Sequence, residues 1–195
     1  MAAAPWIEVV PGRILGITQG DLSRVLADAV VNAANESLVP GGGVDAAIHR
    51  GGGPAILRDL VARYGYDRHL RTGGAVVTTA GQLPARWVIH AVGPIWRGGG
   101  FDEASLLASA YREAMARADE LGARSVAFPA ISCGVYGYPL EDGAAVGLRT
   151  VAEALREARQ VQRATFVLFS FDTFGVFQRE LGRLAGSSAT DATNG

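Results

Sequence analysis

Apolar runs of strand length alternate with amphipathic stretches of helix length along the whole of this chain, and that alternation restricts the fold more than any other feature. Strand-like runs occupy residues 6–10, 13–17, 29–32, 75–79, 87–92, 125–128 and 165–169. Several are continuously apolar, the pattern of strands covered by helices on both faces. Helix-like stretches occupy residues 22–26, 44–50, 55–64, 103–121, 140–157 and 173–184. Asp102 fits the N-cap of the helix from 103, and Gly122 fits its C-terminal stop. Such an order predicts an α/β fold in which helices sandwich a mixed sheet, with ligands outside the C-terminal ends of the strands. At 195 residues and 49% hydrophobic, the chain can bury one substantial core. Residues 1–185 therefore read as a single domain, and the small, polar residues 186–195 as a disordered tail.

Two glycine-bearing loops fall at that sheet edge. The first runs Asn32-Ala33-Ala34-Asn35 into Gly41-Gly42-Gly43-Val44-Asp45; the second is Ser132-Cys133-Gly134-Val135-Tyr136-Gly137-Tyr138-Pro139. Each links a strand-like run to a helix-like one, where glycine lets backbone approach a ligand and a helix start offers unpaired N–H groups to an anion. A glycine run can also be a mere flexible connector. Two such junctions together suggest a cleft that grips a diphosphate from both sides.

Charge and composition narrow the partners. Lys plus Arg number 18 against 19 Asp plus Glu, so no general attraction to a nucleic-acid polymer or an anionic membrane is expected. The chain has no lysine, which excludes a lysine Schiff base and a Walker-type phosphate loop. A single cysteine, Cys133, excludes an internal disulfide and a cysteine-rich zinc site and suits a reducing cytoplasm. The N-terminal residues show no targeting pattern, and no stretch approaches the length of a membrane span.

Taken in order, Gly20-Asp21-Leu22, the Asn32-to-Asn35 and Gly41-to-Arg50 segments, Thr72-Gly73, Val88-Ile-His-Ala-Val-Gly-Pro94 and Phe128-Pro-Ala-Ile-Ser132-Cys-Gly-Val-Tyr136-Gly-Tyr-Pro139 resemble a macrodomain of the MacroD-type branch. The resemblance covers roughly residues 7–184 and implies a three-layer α-β-α fold around a mixed sheet. It also implies hydrolysis of an ester at the distal ribose of ADP-ribose, on mono-ADP-ribosylated aspartate or glutamate of proteins or on O-acetyl-ADP-ribose. No cofactor or metal is expected, and a monomer is.

The resemblance implies roles residue by residue. Asp21, beside Leu22, would accept from the adenine amino group; on its own it reads equally as a helix N-cap. Asn35 would hold the distal ribose, donating and accepting through its amide, whereas Asn32 reads as a turn-former. Gly42, Gly43 and Val44 would face the diphosphate. Asp45 would orient or deprotonate a water aimed at the ester carbonyl; its plain alternative is a first-turn carboxylate on the helix dipole. An aspartate alone is a weak base at neutral pH, so substrate phosphate, desolvation or placement must assist. His49 and His90 read as packed, structural histidines. Ser132, the Cys133 N–H, Gly134, Val135 and Tyr136 would form the second phosphate loop, with Tyr136, in preference to Tyr138, over the distal ribose or diphosphate; the plain alternative for both tyrosines is half-buried packing. Cys133 lacks an activating base in the sequence, so its side chain reads as packing. Phe171 would be the adenine platform, with core packing as its alternative.

Three departures stand out: Pro40 where a glycine is usual, Ala46 after the aspartate, and Gly51-Gly52-Gly53 in place of an alanine-rich run, which would loosen the helix exit. The rival to an esterase is a module that binds ADP-ribose without cleaving it, which has no need of the Asp45 carboxylate.

Overall fold

The computed structural model describes the backbone of residues 5–191 and the side chains of residues 5–186. Seven strands form one sheet: β1 (Trp6–Val10), β2 (Arg13–Gln19), β3 (Ala29–Ala34), β4 (Ala75–Thr79), β5 (Trp87–Val92), β6 (Ser125–Phe128) and β7 (Arg163–Leu168). Their spatial order is β1-β2-β7-β6-β3-β5-β4. The four inner pairings are parallel, and the outer pairs β1/β2 and β4/β5 are antiparallel. The sheet is mixed, as the residue pattern predicts.

Period-two alternation divides the apolar runs between two helical layers. Val31, Ile89, Val126 and Phe166 join the core beneath α3 (Glu103–Glu120), α4 (Leu140–Glu157) and α5 (Phe171–Asp191). Their neighbours Val30, Val88, Ala127 and Val167 join the opposite core beneath α1 (Gly43–Gly52) and α2 (Pro54–Tyr64), where Ile48, Ile56 and Leu60 are fully buried. A strand covered on both faces has no polar side, which is why these runs read as continuously apolar. On the three-helix side, Tyr111, Phe128, Phe166 and Phe177 pack with ring centroids 5.2–5.9 Å apart.

Several boundaries differ from the sequence reading for local reasons. β7 begins two residues earlier than expected because Arg163, though polar, pairs by backbone with Ile14 and Ser125. β3 continues through Ala33 and Ala34, opposite Ala91 and Val92 of β5. The stretch after Asp21 is a single 3-10 turn, Leu22–Arg24. Asp102 is left-handed, with φ 60°, and gives no side-chain cap to α3. Buried Glu103 instead gathers the backbone N–H groups of Arg97, Gly99 and Phe101. α5 runs to Asp191, so residues 186–191 of the expected tail are helical backbone; residues 192–195 lie outside the described residues. A lone glycine at 186 weakens a helix by only about 1 kcal/mol and does not end this one. Among the described residues, no helix is long and apolar enough to cross a membrane.

Candidate functional site

The C-terminal ends of β2, β3, β6 and β7 share one sheet edge, and a cleft of 790 Å³ opens there. Its two long walls are the glycine loops. Asp21, Leu22, Asn35, Gly42, Gly43, Val44 and Asp45 line it from one side. Ser132, Cys133, Gly134, Val135 and Tyr136 line it from the other. All the expected site residues except Phe171 therefore meet at one place.

The first wall ends at the N-terminus of α1, which Gly42 caps without any side-chain bond. The N–H groups of Gly43, Val44 and Asp45 are thus left without intrahelical acceptors, and the helix dipole adds partial positive charge. Gly43 has φ +61°, a left-handed conformation that a side chain would strain. Upstream, Asn35 ties its own loop: its Nδ2 donates to the Val39 carbonyl at 2.8 Å, and its Oδ1 accepts from the Ser37 hydroxyl at 2.9 Å and the Val39 N–H at 3.3 Å.

Asp45 is 4% exposed and holds this wall in shape. One carboxylate oxygen accepts from the Gly41 N–H; the other accepts from Asn32 Nδ2 at 2.5 Å and lies 3.6 Å from His49 Nε2. Asn32 is consequently more than the turn-former its sequence position suggests. Fully buried on β3, its Nδ2 also meets His90 Nδ1 at 3.1 Å, and His90 Nε2 meets the Thr78 hydroxyl at 2.9 Å. Because Thr78 donates onward to the Thr79 carbonyl at 3.1 Å, hydrogen-bond bookkeeping puts the His90 proton on Nε2 and leaves Nδ1 to accept from Asn32. Burial, reinforced by nearby His49 and Arg68, drops the His90 pKa to about 3, so the ring is neutral. Burial likewise lowers His49, against the opposing pull of Asp45.

The second wall is held by packing. The Tyr111 hydroxyl, at the heart of the three-helix core, accepts from the Ile131 N–H at 2.9 Å and donates to the Pro129 carbonyl at 3.3 Å. Ser132 follows in the left-handed region at φ +66°, a cost of about 1–2 kcal/mol for a non-glycine residue, with its hydroxyl buried and unpartnered among the described residues. The Cys133 N–H, expected to face the ligand, instead donates to the Ala130 carbonyl at 3.3 Å. The N–H groups of Gly134, Val135 and Tyr136 have no acceptor among the described residues. Burial pushes the Cys133 thiol up to about 12, and the thiol abuts Gly143 of α4, so it is no nucleophile. Half-buried Tyr136 has its phenol raised by burial and then by the charges of Glu36 and Asp45.

At the far end of the cleft, Asp21 caps the 3-10 turn: its Oδ1 accepts from the Ser23 N–H at 2.9 Å and the Ser23 hydroxyl at 2.7 Å. That hydroxyl bond chiefly holds its carboxyl below the usual range. Among the described residues Oδ2 accepts no hydrogen bond and pairs with Arg24 at 3.6 Å on the surface, while Arg50 also helps to lower the carboxyl. Phe171 requires correction. β7 stops at Leu168, and Phe171 starts α5, 75% exposed and outside the cleft wall. Phe169, two residues earlier and 84% exposed, lines the cleft in its place, as does Arg50. The strand end, one residue earlier than its apolar run suggests, is what misdirects the choice. The Gly51-Gly52-Gly53 run is tight rather than loose: Gly52 is buried inside α1, where a Cβ would overlap Ile56.

Three layers, α/β/α, place two glycine loops across a cleft at the carboxyl edge of the parallel strands, and the Macro domain family model matches residues 31–147. The chain belongs to the Macro domain family. It is 54% identical over 171 residues, 86% of its length, to a Macro domain-containing protein of Streptomyces coelicolor, 99% of which is covered. It is 46% identical over 172 residues to a Cronobacter turicensis protein named O-acetyl-ADP-ribose deacetylase, with 88% of this chain and 97% of that one aligned. Among solved structures, the Oceanobacillus iheyensis macrodomain with ADP superposes with a TM-score of 0.87 at 36% identity, over 93% of this chain and 96% of that one.

Proposed function

We propose that this protein binds ADP-ribose and hydrolyses an ester at its distal ribose, deacetylating O-acetyl-ADP-ribose and releasing mono-ADP-ribose from aspartate or glutamate side chains of proteins. The observation that carries the reading is the Asp45 carboxylate, buried in the cleft wall between Asn35 and the unpaired N–H groups of α1. Support comes from the relative named O-acetyl-ADP-ribose deacetylase and from the neighbouring structure with ADP.

In this reading the diphosphate lies between the N-terminus of α1 and the free N–H groups of Gly134, Val135 and Tyr136. Adenine sits between Asp21, through Oδ2, and Phe169, which takes over the platform role first given to Phe171. Stacking on such an aromatic face contributes about 1–3 kcal/mol. The distal ribose reaches Asn35 and Tyr136. A water held by a phosphate oxygen and oriented by Asp45 attacks the acyl carbon; the new C–O bond forms as the acyl–ribose bond breaks, giving a free carboxylic acid and a ribose hydroxyl that takes the water's second proton. Both Asp45 oxygens already accept bonds, so its work is mainly orientation, and the phosphate shares the water's activation.

A cytoplasmic setting and action as a monomer are part of the same proposal. Incubating purified protein with an aspartate- or glutamate-modified target should release ADP-ribose. Asp45→Ala should slow release by about 100-fold and weaken ADP-ribose binding by only a few-fold, since it also frees the Gly41 N–H. Equal rates for wild type and variant would contradict the role given to Asp45, and tight binding without any release would favour the non-catalytic reader.

A further inference from the structure

The cleft does not close at Asn35. A second cavity of 560 Å³ opens beside it, and Asn35, Gly93 and Tyr136 belong to the walls of both. On the proposed reading, those shared residues flank the distal ribose, so the second cavity begins where the acyl group of the ester must emerge. A two-carbon acetyl group would leave most of such a space to water.

Its outer wall mixes apolar surface with charge. Ile95 and Phe101 are 52% and 63% exposed. The acidic side chains there are already committed: Glu103 to three backbone N–H groups, and Glu36 to the N–H and hydroxyl of Thr72 at 3.1 and 2.7 Å. The basic ones are not. The Arg97 guanidinium makes no hydrogen bond or ion pair among the described residues; the Phe101 ring lies 6.0 Å from its carbon to the centroid, and its charge helps hold the Glu36 carboxyl below the usual range. His69 is exposed on the same cavity. What remains available to a ligand is therefore the donor fork of Arg97 beside apolar faces, while a polypeptide running through would bring both backbone and side chains to it.

We propose that this second cavity docks the polypeptide that carries the ester, and that Arg97 selects an acidic residue next to the modified one. The inference rests on the ester-hydrolase reading of the first cleft. Arginine matches a carboxylate with paired N–H donors, and here no internal carboxylate hydrogen-bonds that fork, Glu36 acting on it only at longer range. Being exposed, it would tune preference rather than chemistry, and salt would weaken its effect.

Three substrates separate the possibilities: a peptide ester-linked to ADP-ribose at one glutamate and flanked by aspartates, the same peptide flanked by glutamines, and O-acetyl-ADP-ribose. For Arg97→Glu, kcat/KM on the aspartate-flanked peptide should fall about tenfold through KM, and the loss should shrink at high salt. On the glutamine-flanked peptide and O-acetyl-ADP-ribose it should change less than about twofold. Arg97→Gln should lie between. Equal effects on all three substrates, or none on any, would overturn this inference while leaving the hydrolase reading intact. A wild type that cleaves none of the three would overturn both.

Discussion

The two walls of the cleft present the same thing to a ligand, a row of unpaired backbone N–H groups, yet they are held by opposite means. The first wall rests on a buried polar chain running from Gly41 through Asp45, Asn32 and His90 to Thr78. The second rests on aromatic packing, with one hydroxyl, that of Tyr111, reaching out of the core to hold Pro129 and Ile131. On the proposed function, the wall built on directional bonds fixes where a water-orienting carboxylate points, and the wall built on packing fixes the backbone that grips phosphate.

That contrast can be broken from either side. The largest effect is expected for Tyr111→Ala, which opens a cavity among Phe128 and Phe166 and frees the loop; urea unfolding should show a loss of about 3–5 kcal/mol. Asn32→Leu removes the donor shared by Asp45 and His90 and should cost about 2–3 kcal/mol in the same measurement. It should also lower the rate of ester hydrolysis more than it weakens ADP-ribose binding, because the bond orienting Asp45 is lost while the N–H rows survive. Tyr111→Phe keeps the packing and removes one hydroxyl, so a loss of about 1–2 kcal/mol is expected, felt as weaker binding more than as slower turnover.

Acid should strain the polar wall selectively. His90 titrates near 6.5 when unfolded and near 3 in the fold. Between those values the unfolded chain holds the extra proton, so stability falls as pH drops from about 6.5 toward 3. Unfolding measured at pH 7.5 and pH 5 should show this slope, and His90→Gln should reduce it. The smallest effects separate the glycines. Gly43→Ala, at φ +61°, should cost about 1–2 kcal/mol. Gly134→Ala, with open space around its Cβ and no positive φ, should change thermal stability little.

The same contrast explains what was legible in the sequence. Contiguous apolar runs reveal strands directly, and 6–10, 75–79, 87–92 and 125–128 match β1, β4, β5 and β6 because their flanks, apart from Ala80, are polar, proline or glycine. Glycine between strand and helix marked both loops of the cleft for a reason of backbone chemistry alone. The polar chain was not legible, since Asn32 and His90 are 58 residues apart and only the parallel pairing of β3 with β5 brings them opposite each other. Phe169 and Phe171 are indistinguishable by composition, and the end of β7 puts Phe169 rather than Phe171 in the cleft wall. The Cys133 N–H was assigned by its place in a motif, whereas a turn bond to Ala130 removes it from the row.

The most direct test of this account is a crystal structure of the protein with ADP-ribose. It should show the diphosphate within hydrogen-bonding distance of N–H groups on both walls, from the start of α1 and from Gly134 to Tyr136, with the distal ribose against Asn35 and Asp45 facing its ester-bearing carbon. A diphosphate held by one wall only, or a distal ribose turned away from Asp45, would contradict it.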